Sequence, residues 1–232
     1  MQLSWEFSVI MGLAVLLMAF YAFGSIWNKK IQRSFWRALR EELKRYSRRV
    51  SYKSFGSSGF KVGFKLPSGP LTKVEISLVL LAREMPLYFL AAYATGRRDR
   101  MLVKANVAGK PDFYLEVLSK WTRLSREIKL KAGEFKPVKI GGLAKYMRVL
   151  TTKPERAREI LSGRVFDYLM ALKDCLERFS ISKAPPHVMI VCRRDESKIG
   201  EALGLLESAA EALVGPAGEE GRGPTRGRRG RR

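Results

Sequence analysis

SVIMGLAVLLMAFYAFGSIW, residues 8–27, runs straight into NKKIQRSFWRALREELKRYSRRV, residues 28–50, and that junction decides how the chain is organised. The first stretch carries no charge over twenty positions. At 1.5 Å per residue, a helix of ~20 apolar residues crosses the ~30 Å hydrocarbon core of a bilayer. Residues 28–53 then hold ten Lys or Arg against two Glu, a net of +8, whereas the seven residues before the apolar run hold only Glu6. Basic flanks stay cytoplasmic, so the N-terminal tip is expected outside and the remainder inside.

Two other readings of the apolar run are weaker. Ala22-Phe23-Gly24 has the small-x-small form of a signal-peptide cleavage site. Signal peptides, however, begin with a basic region and have an apolar core of only ~7–15 residues. A buried core helix is the other reading, and twenty residues apolar on all sides at an extreme terminus make it weaker still. Trp5 and Phe7 at one end, with Tyr21 and Trp27 at the other, fit aromatic belts at the two interfaces. Ser8 and Gly12 form one small-xxx-small pair, the kind of spacing through which membrane helices self-associate.

The chain has 232 residues and a formal net charge of +22. Residues 215–232 (GPAGEEGRGPTRGRRGRR) contribute +4 and contain nothing that could form a core, so this tail is expected to be disordered. The folded part between the basic segment and the tail is itself basic. Such a surface attracts polyanions: anionic headgroups, nucleic acid or acidic proteins. For a tethered domain the leaflet is the nearest of these, and each basic residue close to it contributes ~1 kcal/mol. Cys175 and Cys192 are too few and too widely spaced for a metal site or a disulfide framework; both read as small core residues.

After the apolar run, Ile31, Phe35, Leu39, Leu43, Tyr46 and Val50 keep one stripe at helical spacing. Basic residues dominate the other faces. The stripe suits a helix lying on acidic lipid, with Trp36 near the headgroups, or a stalk packed on the domain or on a second copy. Periodicity does not choose between them. SYKSFGSSG (51–59) reads as a linker.

Alternation then predicts strands over residues 60–66, 74–80, 101–107 and 113–117, with another at 87–94. Short strands in succession imply an antiparallel meander. Residues 121–142 are mixed, and KYMRVL (145–150) reads as a strand. Thr152-Lys153-Pro154-Glu155 has the form of a capping box opening a helix to Leu161, with Gly163 as its stop. A second helix is predicted over 164–176, strands at 179–181 and 188–192, and a last helix capped by Asp195. The segment KYMRVLTTKPERAREIL, followed by a helix, a closing hairpin and a long terminal helix, resembles a recurring domain of membrane-anchored prokaryotic proteins of unknown function. That resemblance spans about residues 60–214 and implies an α+β fold on a membrane anchor.

Motifs that would carry chemistry are missing. FGSSGF (55–60) and AGKPD (108–112) fail the phosphate-loop pattern, and IGGLAK (140–145) is only a glycine pair. His187 is the sole histidine and follows two prolines, where a turn residue is the ordinary reading. Glu75, Asp99, Asp112 and Glu116 stand among basic residues and read as ion-pair partners.

The sequence therefore predicts an α+β protein: a transmembrane helix (1–27), a basic amphipathic helix and linker (28–59), an α+β cytoplasmic domain with a mainly antiparallel sheet and C-terminal helices (60–214), and an Arg/Gly-rich tail (215–232). No enzyme activity, cofactor or metal is expected. The expected role is a scaffold or adaptor that meets an anionic bilayer surface and a protein partner. Lys29, Lys30, Arg33, Arg37, Arg40, Lys44, Arg45, Arg48 and Arg49 are the candidate surface-binding residues. The alternative is a tethered nucleic-acid or ribosome-docking module using the tail residues Arg222, Arg226, Arg228, Arg229, Arg231 and Arg232.

Overall fold

The computed structural model describes residues 5–47, 49–121 and 135–215. It opens with one helix, α1 (Trp5–Leu43), of 39 residues and about 58 Å. Strands β1 (Ser51–Ser54), β2 (Gly59–Lys65) and β3 (Leu71–Val79) follow, then α2 (Pro86–Ala94), β4 (Arg100–Val107), β5 (Leu115–Ser119) and β6 (Lys136–Val138). The chain continues through β7 (Met147–Thr151), α3 (Pro154–Ile160), α4 (Arg164–Ala171), β8 (Leu176–Ile181) and β9 (Val188–Arg193) to the final helix α5 (Ile199–Val214).

Among the described residues the strands form one antiparallel sheet in the order β1-β2-β3-β4-β9-β8-β5-β7-β6. Residues in register share a face. Phe60, Val62, Val74, Ile76, Leu78, Met101, Val103, Ile190 and Phe179 line one face and are buried, with helices packed over them. The second face carries the row Glu75–Lys104–Met189–Ser180–Glu116 across five strands and is largely half-exposed. The fold is thus α+β, as the sequence reading holds.

The second half of α1 belongs to the helical layer. Phe35 and Leu39 are wholly buried, and Ile31 and Leu43 nearly so. Phe35 meets Phe60 edge-on at 6.1 Å. The stripe from Ile31 to Leu43 is therefore covered by the sheet, which favours the packed-stalk reading over a helix lying on lipid. The helix ends at Leu43, so Tyr46 is only half-buried in the turn that follows, and Val50, expected on the same stripe, lies exposed beyond it. Trp36 packs against Tyr52 at 5.6 Å and Phe60 at 5.9 Å, away from the headgroup position expected for it.

Four local expectations are corrected. The stretch 51–59 is β1 and a short 3-10 turn, held by Phe55 N donating to the Gly59 carbonyl at 2.9 Å. Residues 87–94 are the helix α2: an unbroken apolar run fits either element, and Pro86 at its first turn selects the helix. The helix predicted over 164–176 ends at Ala171, because residues 172–175 turn and Leu176 starts β8; both Leu172 and Leu176 are buried, so periodicity did not separate them. The capping box does not form. Thr151 Oγ1 donates to the Tyr114 carbonyl at 2.8 Å, and Thr152 Oγ1 accepts from Tyr114 N at 3.0 Å, tying both threonines to the approach of β5.

The meander holds only through β4. β5 lies between β8 and β7. All five of its residues are buried, Glu116 and Ser119 included, which suits an interior position with neighbours on both sides. By contrast Asp195 does cap, accepting from Ser197 N at 3.0 Å in the 3-10 turn that leads into α5.

Candidate membrane-proximal site

Among the described residues α1 is the one helix long and apolar enough to cross a bilayer. Its apolar half is exposed almost throughout; Leu13, Val15, Leu16, Leu17 and Met18 are all about half exposed or more. In water this would be strongly unfavourable, at roughly 25 cal/mol per Å² of apolar surface. The helix also runs unbroken through residues 22–24, where a signal peptidase would cut.

Where the apolar half meets the domain, the chain becomes tightly fitted. Gly24 is buried, and a Cβ there would stand 2.3 Å from the Arg83 carbonyl oxygen and 2.5 Å from Glu84 N. Only glycine lets the loop after β3 lie on the helix. One turn on, Asn28 is wholly buried. Its Nδ2 donates to the Leu81 carbonyl at 2.9 Å and its Oδ1 accepts from Arg83 Nη1 at 2.8 Å.

Arg83 in turn forms a two-pronged ion pair with Asp99, at 3.0 and 2.8 Å. Asp99 also accepts from Leu81 N at 2.9 Å and has Arg194 at 3.5 Å. Glu84 accepts from Ser57 Oγ at 2.6 Å. The Arg83 guanidinium lies 5.7 Å from the Trp27 ring and 5.6 Å from Phe89. This network joins α1, the β3–β4 connection and the end of β9. A buried charge is tolerated only when paired and hydrogen-bonded, and each one here is.

The basic residues of α1 point the other way. Lys29, Lys30, Arg33, Arg37 and Arg40 are exposed, as is Lys44 in the turn just past the helix end. At 100° per residue they fall on the side of the helix opposite Gly24, Asn28, Ile31, Phe35 and Leu39. Lys44 pairs with Glu41 at 2.5 Å and Arg45 with Glu42 at 3.5 Å; Arg49 is exposed after the helix ends. Arg48 and the tail residues Arg222, Arg226, Arg228, Arg229, Arg231 and Arg232 lie outside the described residues. Sequence reasoning found the basic face but missed Gly24, Asn28, Arg83 and Arg194. A signal for two of them existed: Gly24 and Asn28 are in phase with the stripe that begins at Ile31.

The remaining candidates are structural. Glu75 pairs with Lys73 at 2.7 Å and Lys61 at 3.2 Å, and those ammonium groups hold its carboxyl below the usual range. Asp112 pairs with Lys153, which lowers its carboxyl likewise. Glu116 makes a two-pronged pair with Arg178 at 2.8 and 2.6 Å. His187 is buried, and its Nδ1 accepts from Val107 N at 3.2 Å, a bond that pins the end of β4 to β9.

The two cysteines, far apart in sequence, are neighbours in the fold: Cys192 sits opposite Leu176 on β8. Cys175 Sγ donates to the Leu172 carbonyl at 3.5 Å; the interaction of the two thiols pulls the Cys175 group down and, with burial, pushes Cys192 up. Tyr46 is raised well above an ordinary phenol by burial and by the carboxylate of Glu207.

No family model matches the chain, and no curated protein matches it in sequence. Among solved structures it is similar to the crystal structure of the mycobacterial trehalose monomycolate transport factor A, TtfA. The TM-score is 0.50 at 12% identity, over 78% of this chain and 95% of that one. The likeness is one of fold.

Proposed function

We propose that this chain is a membrane-anchored adaptor, N-terminus outside, whose α+β domain is held at the cytoplasmic leaflet for a protein partner. One observation carries the reading: α1 continues without a break from an exposed apolar half into the domain core, so anchor and domain form one body. The positive-inside asymmetry about the apolar run supports the orientation.

The basic face then divides into two functions. Measured along the axis from Trp27, Lys29 and Lys30 stand about 3–5 Å out and Arg33 about 9 Å, whereas Arg37 to Lys44 stand roughly 15–26 Å out. With a Debye length of about 8 Å at physiological salt, the first three act on anionic headgroups. Arg37, Arg40 and Lys44 are left to attract an acidic surface on the partner. The fold likeness to a transport factor makes a membrane transport assembly the first partner class to seek.

The test is a mild-detergent pulldown of the tagged full-length chain, with and without nuclease, beside the triple variant Arg37→Glu/Arg40→Glu/Lys44→Glu. A nuclease-resistant membrane complex that the variant fails to recover supports the adaptor. Ribosomes or RNA that disappear with nuclease would replace it by nucleic-acid docking. Protease added outside intact cells should leave residues 60–214 whole; cleavage within them would reverse the orientation.

A further inference from the structure

The β3–β4 connection, where a short hairpin turn would suffice, instead carries α2, with the sequence PLYFLAAYA and no charged residue. Only Ala92 of this helix is buried. Leu87 is 83% exposed and Leu90 62%, and Tyr88, Tyr93 and the preceding Met85 are exposed as well. Isolated exposed apolar residues are ordinary on a soluble surface, but a contiguous patch of this size marks something that covers it.

Its position says what does. Leu17, Met18 and Tyr21 of α1 and Met85, Pro86 and Leu87 line one apolar groove of about 790 Å³. Leu17 and Tyr21 lie about 15 and 9 Å on the apolar side of Trp27 along the helix axis. The start of α2 is therefore level with a part of α1 that is itself suited to hydrocarbon, and its exposed face continues the lipid-facing surface of the anchor. At its other end the charge changes at once: Arg97, Arg98 and Arg100 follow within six residues of Ala94. Arg97 donates to the Tyr88 hydroxyl at 3.1 Å, and the Arg98 guanidinium lies 4.1 Å from the Tyr93 ring. These three arginines, with Tyr88 and Ser58, also line a cavity of about 470 Å³ between α2 and the sheet. An apolar helix rimmed by tyrosines and arginines is the pattern of a segment lying in the headgroup–acyl boundary.

We infer that α2 is a second membrane contact, embedded in the cytoplasmic leaflet beside α1, with Arg97 and Arg98 directed at anionic phospholipid headgroups, while Arg100 at the start of β4 is held by Glu177 at 2.8 Å. The inference rests on the anchoring proposed above. Together with α1 it fixes the tilt of the domain against the bilayer plane, which a single spanning helix leaves free to vary.

The experiment uses the full-length chain in vesicles of phosphatidylcholine with phosphatidylglycerol, labelled with an environment-sensitive fluorophore at Leu90→Cys or, in parallel, at Leu16→Cys. Buried Cys175 and Cys192 are shielded from the label in the folded protein. Nitroxide-bearing lipids and aqueous iodide serve as quenchers. Embedding requires the probe at 90 to be quenched by shallow nitroxides and to lose most of its iodide accessibility, and the probe at 16 by deep ones. Reversal of Arg97 and Arg98 to Glu should raise iodide access at 90 when phosphatidylglycerol is present, and leave 16 unchanged. An iodide-accessible probe at 90 with a lipid-quenched probe at 16 overturns the inference and leaves the anchor intact. Iodide access at both positions overturns the anchor, and this inference with it.

Discussion

The two halves of α1 are one helix written for two solvents. Before Trp27 the side chains are apolar in every direction and nearly all exposed; after it they divide into a buried stripe and an exposed basic face. The change occurs within about one turn, between Gly24 and Lys29. What the contrast teaches is that the anchor is not tied to the domain by a flexible tether. The stripe that organises the core is the continuation of the membrane helix, and a glycine and an asparagine in phase with it seat the loop after β3.

The largest expected effect separates the halves directly. Phe35→Ala removes a fully buried ring and should lower the stability of the domain by about 3–5 kcal/mol, read by denaturant titration in detergent micelles. Leu16→Ala, on the exposed half, should leave the same midpoint within about 0.5 kcal/mol. Equal losses at both positions would mean that the apolar half is also packed against protein.

Next is the clamp at the boundary. Asp99→Ala strands Arg83 in a half-dry site and frees Leu81 N, an expected loss of roughly 3 kcal/mol. Asn28→Ala should cost less, about 1–3 kcal/mol, since it leaves one carbonyl and one guanidinium nitrogen to find other partners. A smaller effect should come from the far end of the stripe. Folding raises the Tyr46 phenol, so its contribution is fully present below the ordinary tyrosine range near pH 10 and fades as pH climbs through the folded value. The thermal midpoint of the native chain should therefore fall faster above that pH than that of Tyr46→Phe. Parallel curves would remove Tyr46 from the account.

Much of this is legible in the sequence, for reasons of period. The apolar run, the stripe from Ile31 to Leu43 and the alternating strands from Phe60 to Val107 each report one repeat that a single face imposes. Residues 87–94 were illegible because an apolar run without a polar partner has no period, and α2 lacks the polar face that a soluble helix needs. The place of β5 could not be read, since strand order depends on pairing with β8, more than fifty residues away. The clamp was hidden for a similar reason. Asn28 and Asp99 acquire meaning only when Arg83 joins them across the fold.

The central claim, that anchor and domain are one body, is tested most directly by pulsed dipolar spectroscopy on the full chain in lipid nanodiscs. Spin labels at Leu16→Cys on α1 and Glu211→Cys on α5 should give a single narrow distance distribution, and Gly24→Leu, which forces the Arg83 loop off the helix, should broaden it. A broad or multiple distribution in the otherwise native chain would contradict the account and restore a hinged tether between membrane and domain.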